Sequence, residues 1–283
     1  MKNFLLKLNY IQSVIFRILK TIPSRFFFGN TVSFANNLKP YLYNKNSFFK
    51  KNSDLKKVGF KKIFYNLEKN IIDLISSKFK DCIENENISK FSPNKKSKFL
   101  LNPLKNIPEI KNLINLIDED ALHYYCGSYV IKRVRAWRIF SDDSVNMQKQ
   151  KYIYSNYWHF DDYRTDRLNV FILLNDNITR FSGSTKILDI ETTKKLVRSF
   201  KFIDTSLSNI KVEKYLNNHN KIYYCEGNKG DVFIFNATKC LHSASIPENG
   251  SVRDVIQFEL YKMHSNSPAE VFANEDDFEV INM

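Results

Sequence analysis

Asn156-Tyr157-Trp158-His159-Phe160-Asp161-Asp162-Tyr163 is the stretch from which the rest of the chain is read. If it is extended, its side chains alternate, so His159 and Asp161 point one way and Phe160 the other. His242 follows His159 by eighty-three residues, and Arg253 follows His242 by eleven. Two histidines and one carboxylate on a rigid scaffold form a facial triad, which binds one side of Fe(II) and leaves the other side open. His159, Asp161 and His242 are therefore the candidate metal ligands.

The distal half carries its own pattern. Gly230-Asp231-Val232-Phe233-Ile234-Phe235 reads as a buried strand, Leu241 to Ile246 as a second and Val252 to Leu260 as a third, with Pro247-Glu248-Asn249-Gly250 as a turn. Folding the last two strands as a hairpin about that turn sets residue 244 opposite residue 253. His242, Ala244 and Arg253 then share one face. A guanidinium near the metal is a bidentate clamp for a carboxylate, so metal and a carboxylate-bearing co-substrate are expected in one pocket.

These residues together resemble the Fe(II)/2-oxoglutarate-dependent oxygenases, and among them the phytanoyl-CoA dioxygenase-like family. That family has an H-x-D motif, a distal His preceded by a G-D-V-x-x-F strand, and an Arg eleven residues after that His. Here these are His159/Asp161, Gly230 to Phe235, His242 and Arg253, with Asn249 in the turn. Leu168 to Asp176 looks like the strand after H-x-D, and Ser182 to Leu188 like the next one. The resemblance covers roughly residues 120 to 262. It departs at two places. Asp189-Ile190-Glu191-Thr192 stands where the family carries a Pro-Gly-Ser-His-like stretch. Ala244, flanked by Ser243 and Ser245, stands where a small hydroxyl residue would bond 2-oxoglutarate.

Each piece alone has an ordinary reading. An isolated H-x-D is commonly a turn or surface pair, a lone His242 an interior histidine, and a lone Arg253 a strand arginine in an ion pair. Order, spacing and strand context together outweigh these. His123, His219 and His264 sit in no comparable arrangement. Cys225, Cys240 and His242 lack the four ligands and paired spacing of structural zinc.

Four cysteines without paired spacing give no disulfide framework, and an Fe(II) site needs a reduced environment. An intracellular, cytoplasmic protein is expected. The net charge of +13 is uneven: fourteen Lys/Arg against Asp54 and Glu68 put +12 in residues 1–70. The division expected is a basic, partly helical extension over 1–60 and an oxygenase domain over 61–283. Leu5, Leu8, Ile11, Ile15, Ile18 and Ile22 recur at helical steps, with Lys7, Arg17 and Lys20 largely off that stripe. Charges interrupt it too early for a membrane span, and it lacks the apolar core and cleavage site of a secretory signal. Packing on the domain, peripheral contact with an anionic membrane and a transit peptide all remain open. No nucleic-acid recognition motif is visible.

Residues 34–62 read as a loop, Lys62 to Ile83 and Ile107 to Tyr124 as helices, and Asn85 to Lys98 as a linker. From Ser128 the chain turns β-rich, beginning with a long strand over Tyr129 to Phe140. An insert at 189–222 reads as one or two helices. Helices first, then strands closing on a buried site, predict a mainly β fold with flanking helices. This is a double-stranded β-helix, the cupin-like jelly roll, with its core at about 128–262. The acidic tail (Glu270, Glu275, Asp276, Asp277, Glu279) reads as a solvated end.

The resemblance implies Fe(II), 2-oxoglutarate and O2 as reactants, with ascorbate as an optional reductant, and Arg253 on the far carboxylate. The implied reaction hydroxylates an unactivated C–H of a small lipid-, carrier- or sugar-linked substrate, releasing succinate and CO2. Asp161 favours hydroxylation over halogenation, because related halogenases lack that carboxylate. Trp137, Arg135, Arg138, Tyr157, Tyr163 and Arg164 are candidate pocket residues, and a positive pocket suits an acidic substrate. The alternatives are a non-catalytic jelly-roll binding module and a cupin-like isomerase.

Overall fold

The computed structural model describes residues 54–63, 69–93, 95–125, 129–141, 156–161, 166–200, 206–207, 209–216, 222–262 and 270–271. The amphipathic basic stretch, Tyr163, Arg164, His219, His264 and the tail beyond Val271 lie outside them. Helix α1 (Asp54–Val58) and strand β1 (Phe60–Ile63) come first, then α2 (Lys69–Glu84), β2 (Ser89–Phe91) and β3 (Ser97–Leu100). The short α3 (Pro103–Asn106), a 3-10 helix (Pro108–Leu116) and α4 (Asp118–Tyr125) complete the helical part. The β-rich part holds β4 (Tyr129–Phe140), β5 (Trp158–His159), β6 (Arg167–Leu173) and β7 (Thr185–Leu188). Helix α5 (Ile190–Ser199), β8 (Ser206–Leu207), α6 (Asn209–Leu216) and β9 (Ile222–Tyr224) form the insert. Strands β10 (Val232–Asn236), β11 (His242–Ala244), β12 (Val252–Lys262) and β13 (Glu270–Val271) close the order.

Two mainly antiparallel sheets face each other as a jelly roll. The large one runs β1-β10-β6-β12-β4-β3-β2, with β13 added along β4, and the small one runs β8-β5-β11-β7-β9. Alternation along the long strands, interrupted in the β12–β4 pairing by a bulge between Glu259 and Leu260, sorts their side chains. Val134, Ala136, Val170, Ile172, Val232, Ile234, Ile256, Phe258 and Leu260 turn outward onto the helices. Trp137, Ile139, Phe171, Leu173, Phe233, Phe235 and Val255 turn inward toward Ile187 and Ala244 of the small sheet. Helix α2 meets the outer face with Ile72, Ile75, Phe79 and Ile83, which recur at three- and four-residue steps. Burying each such side chain contributes about 1.5–3 kcal/mol. Ser76 Oγ also donates to Leu174 O at 2.8 Å, pinning the helix to the sheet.

Several sequence expectations need correction. Lys62 to Ile83 is not one helix: Phe60–Ile63 pairs with β10 as a strand, and the helix described within this stretch is Lys69–Glu84. The expected linker over 85–98 contains β2 and the start of β3, which form an edge hairpin continuing the large sheet. Of their polar residues Lys90 is exposed, while Ser89 and Lys98 are buried. The helix expected from Ile107 is a 3-10 segment up to Leu116 and α-helical only from Asp118. Within the loop expected over 34–62, Asp54–Val58 is helical and Phe60–Ile63 is a strand, and Leu55 is buried in the core. Gly59, with φ +84, ends α1, and its N–H donates to Leu55 O at 2.8 Å. A Cβ there would lie 2.4 Å from Cys240 Sγ.

The hairpin of residues 241–260 is also overturned. Strand β11 belongs to the small sheet, between β5 and β7, and β12 to the large one, between β6 and β4. The turn-like Pro247-Glu248-Asn249-Gly250 carries the chain from one sheet to the other. Its backbone is tied to Phe181 O by Glu248 N–H and closed by Ser251 N–H on Glu248 O.

Candidate metal centre

The ligands are positioned by pairing and by apolar anchors on alternate residues. His242 of β11 lies directly opposite His159 of β5. Trp158 and Leu241, one residue before each histidine, are fully buried in a third cluster against α5 and α6, and Phe160 packs there too. The anchors on that outer side turn His159 and His242 inward. Regular strand ends at His159, so Asp161 is placed instead by its N–H, which donates to Ala237 O at 3.0 Å.

The three side chains converge. The ligand atoms of His159, Asp161 and His242 lie within 4.8 Å of one another. Asp161 Oδ1 is 3.8 Å from His159 Nε2 and 3.5 Å from His242 Nε2, and the two imidazole centroids are 4.3 Å apart. Each ring faces a main-chain carbonyl with Nδ1: His159 that of Tyr157 at 2.8 Å, His242 that of Cys240 at 3.1 Å. A carbonyl only accepts, so Nδ1 carries the proton in both rings and Nε2 presents a lone pair. Burial, reinforced by the neighbouring His242, pulls His159 down to about 3; burial pulls His242 down to about 4. Both rings are neutral at physiological pH. Two imidazole lone pairs and a carboxylate oxygen facing one point repel one another unless a cation lies between them, which is the donor set of a divalent metal. The other carboxylate oxygen, Oδ2, is held by Arg167 and by Asn169 Nδ2 at 2.9 Å.

Arg253 of the large sheet reaches across to the small sheet that carries both histidines. It is 3% exposed, and its Nη1 donates to Thr185 Oγ1 at 3.0 Å. Thr185 is the strand partner of Ala244, two residues beyond His242. The proximity of 244 and 253 expected from a hairpin thus arises across the sandwich. The buried Nε of Arg253 has no hydrogen-bond partner among the described residues. Burial lowers its guanidinium to about 10. A buried cation with an unmet donor fits an incoming carboxylate.

Of the candidate pocket residues, Trp137 lies on the inner face, edge-on to Phe171 with centroids 5.9 Å apart. Arg135 is there too, and the Tyr157 ring lies 4.9 Å from that of His159. Arg138 is a correction: it alternates to the outer face and forks onto Asp254, also reaching Glu84. Cys225 and Cys240 are buried free thiols, which burial keeps protonated. Arg167, Asn169 and Thr185 went unremarked in the sequence. For Arg167 and Asn169 the signal was available as polar residues alternating with Leu168 and Val170 in an otherwise apolar strand; Thr185 gave no comparable signal.

No protein-family model matches the chain, and no curated protein matches it. Solved structures are similar to it. EctD from S. alaskensis, crystallised with 2-oxoglutarate and 5-hydroxyectoine, aligns over 84% of this chain and 85% of its own, at 12% identity and TM-score 0.54. The epimerase SnoN from nogalamycin biosynthesis, in complex with Fe3+, alpha ketoglutarate and nogalamycin RO, covers 74% of this chain and 80% of its own, at 9% identity and TM-score 0.52. AviO1 from Streptomyces viridochromogenes Tue57 covers 76% and 95%, at 15% identity and TM-score 0.50. At such identities the likeness speaks for the fold: this chain shares its jelly roll with proteins crystallised with iron or 2-oxoglutarate.

Proposed function

We propose that the chain is a non-haem Fe(II)- and 2-oxoglutarate-dependent dioxygenase of the phytanoyl-CoA dioxygenase-like kind. His159, Asp161 and His242 would hold the metal, and Arg253 the far carboxylate of 2-oxoglutarate. The observation that carries this reading is the convergence of three lone-pair donors within 4.8 Å, faced by a buried arginine with an unmet donor. The carbonyls of Tyr157 and Cys240 keep both Nε2 atoms unprotonated for the metal. Arg167 and Asn169 occupy Oδ2 of Asp161, leaving Oδ1 for coordination. Thr185 orients Arg253 and offers the hydroxyl that Ala244 lacks. When bound, iron, 2-oxoglutarate and O2 supply the oxidising power for hydroxylating an unactivated C–H of a small organic substrate, with loss of succinate and CO2. Phe235, whose ring lies 5.2 Å from that of His242, packs edge-on against that imidazole.

Purified full-length protein given Fe(II), ascorbate, O2 and 2-oxoglutarate is expected to release succinate. A binding module predicts 2-oxoglutarate binding without decarboxylation, and a cupin-like isomerase predicts activity without O2. SnoN is an epimerase, so product analysis matters: a gained oxygen atom supports hydroxylation, and an unchanged mass supports stereochemical inversion. Among the described residues no helix is long and apolar enough to cross a membrane. The basic segment is proposed to serve location, in the cytoplasm or at an anionic membrane surface, with catalysis confined to the jelly roll. Salt-sensitive cosedimentation with anionic vesicles tests that role, each Lys or Arg near the surface contributing about 1 kcal/mol.

A further inference from the structure

We infer that the inner face of the large sheet carries an anion subsite beside the metal triad. Arg133 and Arg135 build it, and it receives a carboxylate or phosphate group of the substrate. The inference rests on the dioxygenase reading for its meaning, though not for its test.

Strand partners place the groups. Glu259 of β12 stands opposite Arg133 on β4 and Asn169 on β6, and Gln257 stands opposite Arg135. All alternate with Val134, Ala136, Val170 and Phe258, which face the helices, so all turn toward the metal side. A chain of ion pairs runs from the triad: Asp161 to Arg167, Arg167 Nη1 to Glu259 Oε2 at 3.3 Å, and Glu259 Oε1 to Arg135 Nη2 at 3.3 Å. Arg133 Nη1 reaches the same Oε1 only at 3.7 Å. Three guanidiniums thus share two carboxylates, and Asp161 is the one turned to the metal. Among the described residues the cluster is one negative charge short before any metal adds its own. Burial lowers the Arg135 guanidinium, and Arg133 and Arg167 add to that effect against the pull of Glu259.

Exposure gives direction to the surplus. The Glu259 side chain is 3% exposed, whereas those of Arg133 and Arg135 are 24% and 32% exposed. The carboxylate forms a floor that holds two forks in place, and the forks reach past it. Pre-ordered guanidiniums fit an oxyanion two-pronged, with little side-chain entropy left to lose.

The test uses two fluorinated anions, trifluoroacetate for the carboxylate and monofluorophosphate for the phosphate, read by 19F line broadening on full-length Zn(II)-loaded protein. Measurements are made at fixed ionic strength with saturating 2-oxoglutarate, so that the Arg253 side is occupied. Binding of either probe, weakened roughly tenfold or more in Arg135→Gln and in Arg133→Gln, is expected. The stronger of the two probes identifies the class of oxyanion. Arg135→Lys keeps the charge but loses the fork, and an intermediate loss is expected should the glutamine variant fail to fold. Absence of binding by both probes to wild-type protein overturns the inference, as does binding that persists in folded glutamine variants. Titration of Zn(II) and 2-oxoglutarate on the same samples keeps the two questions apart. Protein that binds the probe but neither metal nor co-substrate retains the subsite and loses the dioxygenase reading.

Discussion

The two faces of the large sheet are made by the same strands and do different work. Along β12, Ile256, Phe258 and Leu260 meet the helices, while Arg253, Gln257 and Glu259, also nearly fully buried, face the small sheet. Along β6, Val170 and Ile172 face outward, and Arg167 and Asn169 inward around Asp161. One face therefore gains from removing apolar area from water. The other carries charges whose burial is tolerated through ion pairs and hydrogen bonds. The proposed site lies on the face that is costly to bury, and the apolar face supplies the stability that makes this possible.

Substitutions separate the two roles. The largest effect is expected for His242→Ala, which removes a ligand outright. Metal affinity should fall by more than the roughly 10- to 100-fold typical of an outer partner, and succinate release should cease while the fold persists. Phe258→Ala, on the same strand as Arg253, should cost about 3–5 kcal/mol in unfolding free energy by denaturant titration, yet leave the metal affinity of folded protein unchanged. A loss of metal binding that exceeds the fraction unfolded would show that the faces are coupled. Arg253→Ala should do the reverse. It should weaken 2-oxoglutarate roughly 30- to 5,000-fold, from about 2–5 kcal/mol for a buried charge pair, with Fe(II) affinity nearly intact. Unchanged 2-oxoglutarate affinity in that variant would remove Arg253 from the site.

Smaller effects sharpen the boundary. Asn169→Ala frees one hydrogen bond on Asp161 Oδ2 and should weaken metal binding about tenfold, measured by competition with a chelator. The pH dependence should be the slightest. His159 and His242, lowered to about 3 and about 4 by burial, are unprotonated in the folded chain well below neutrality. Fe(II) affinity should then stay nearly flat from about pH 7.5 to 5.5, where exposed histidines near 6.5 would begin to lose it. The apo-protein's stability follows the opposite partner. Unfolded histidines protonate first, so the contribution present above about pH 6.5 is lost as pH falls toward 4 and 3. A metal affinity that drops steeply at pH 6.5 would mean the rings are solvent-exposed.

The sequence made the inner face legible through chemistry and the outer face through periodicity. His159, Asp161, His242 and Arg253 stand out because such residues are seldom buried without a partner or a task. Strand β10 was readable from its apolar run, β4 from partial alternation, and β6 and β7 from the family resemblance. Three things were not legible. Pairing of β11 and β12 with different sheets depends on long-range contacts, and a Pro-Glu-Asn-Gly turn serves a hairpin or a crossover equally well. The edge strands β2 and β3 carry the polar composition of a loop. Arg167 and Glu259 went unremarked, because their link to Asp161 exists only once β6, β12 and the segment after β5 have assembled.

The claim that the inner face is a metal and co-substrate site is tested most directly by anaerobic calorimetry on full-length protein, titrating Fe(II) and then 2-oxoglutarate. The account predicts stoichiometric Fe(II) binding that His159→Ala abolishes, followed by 2-oxoglutarate binding that requires both the metal and Arg253. Protein that is folded yet takes up neither Fe(II) nor 2-oxoglutarate would contradict it.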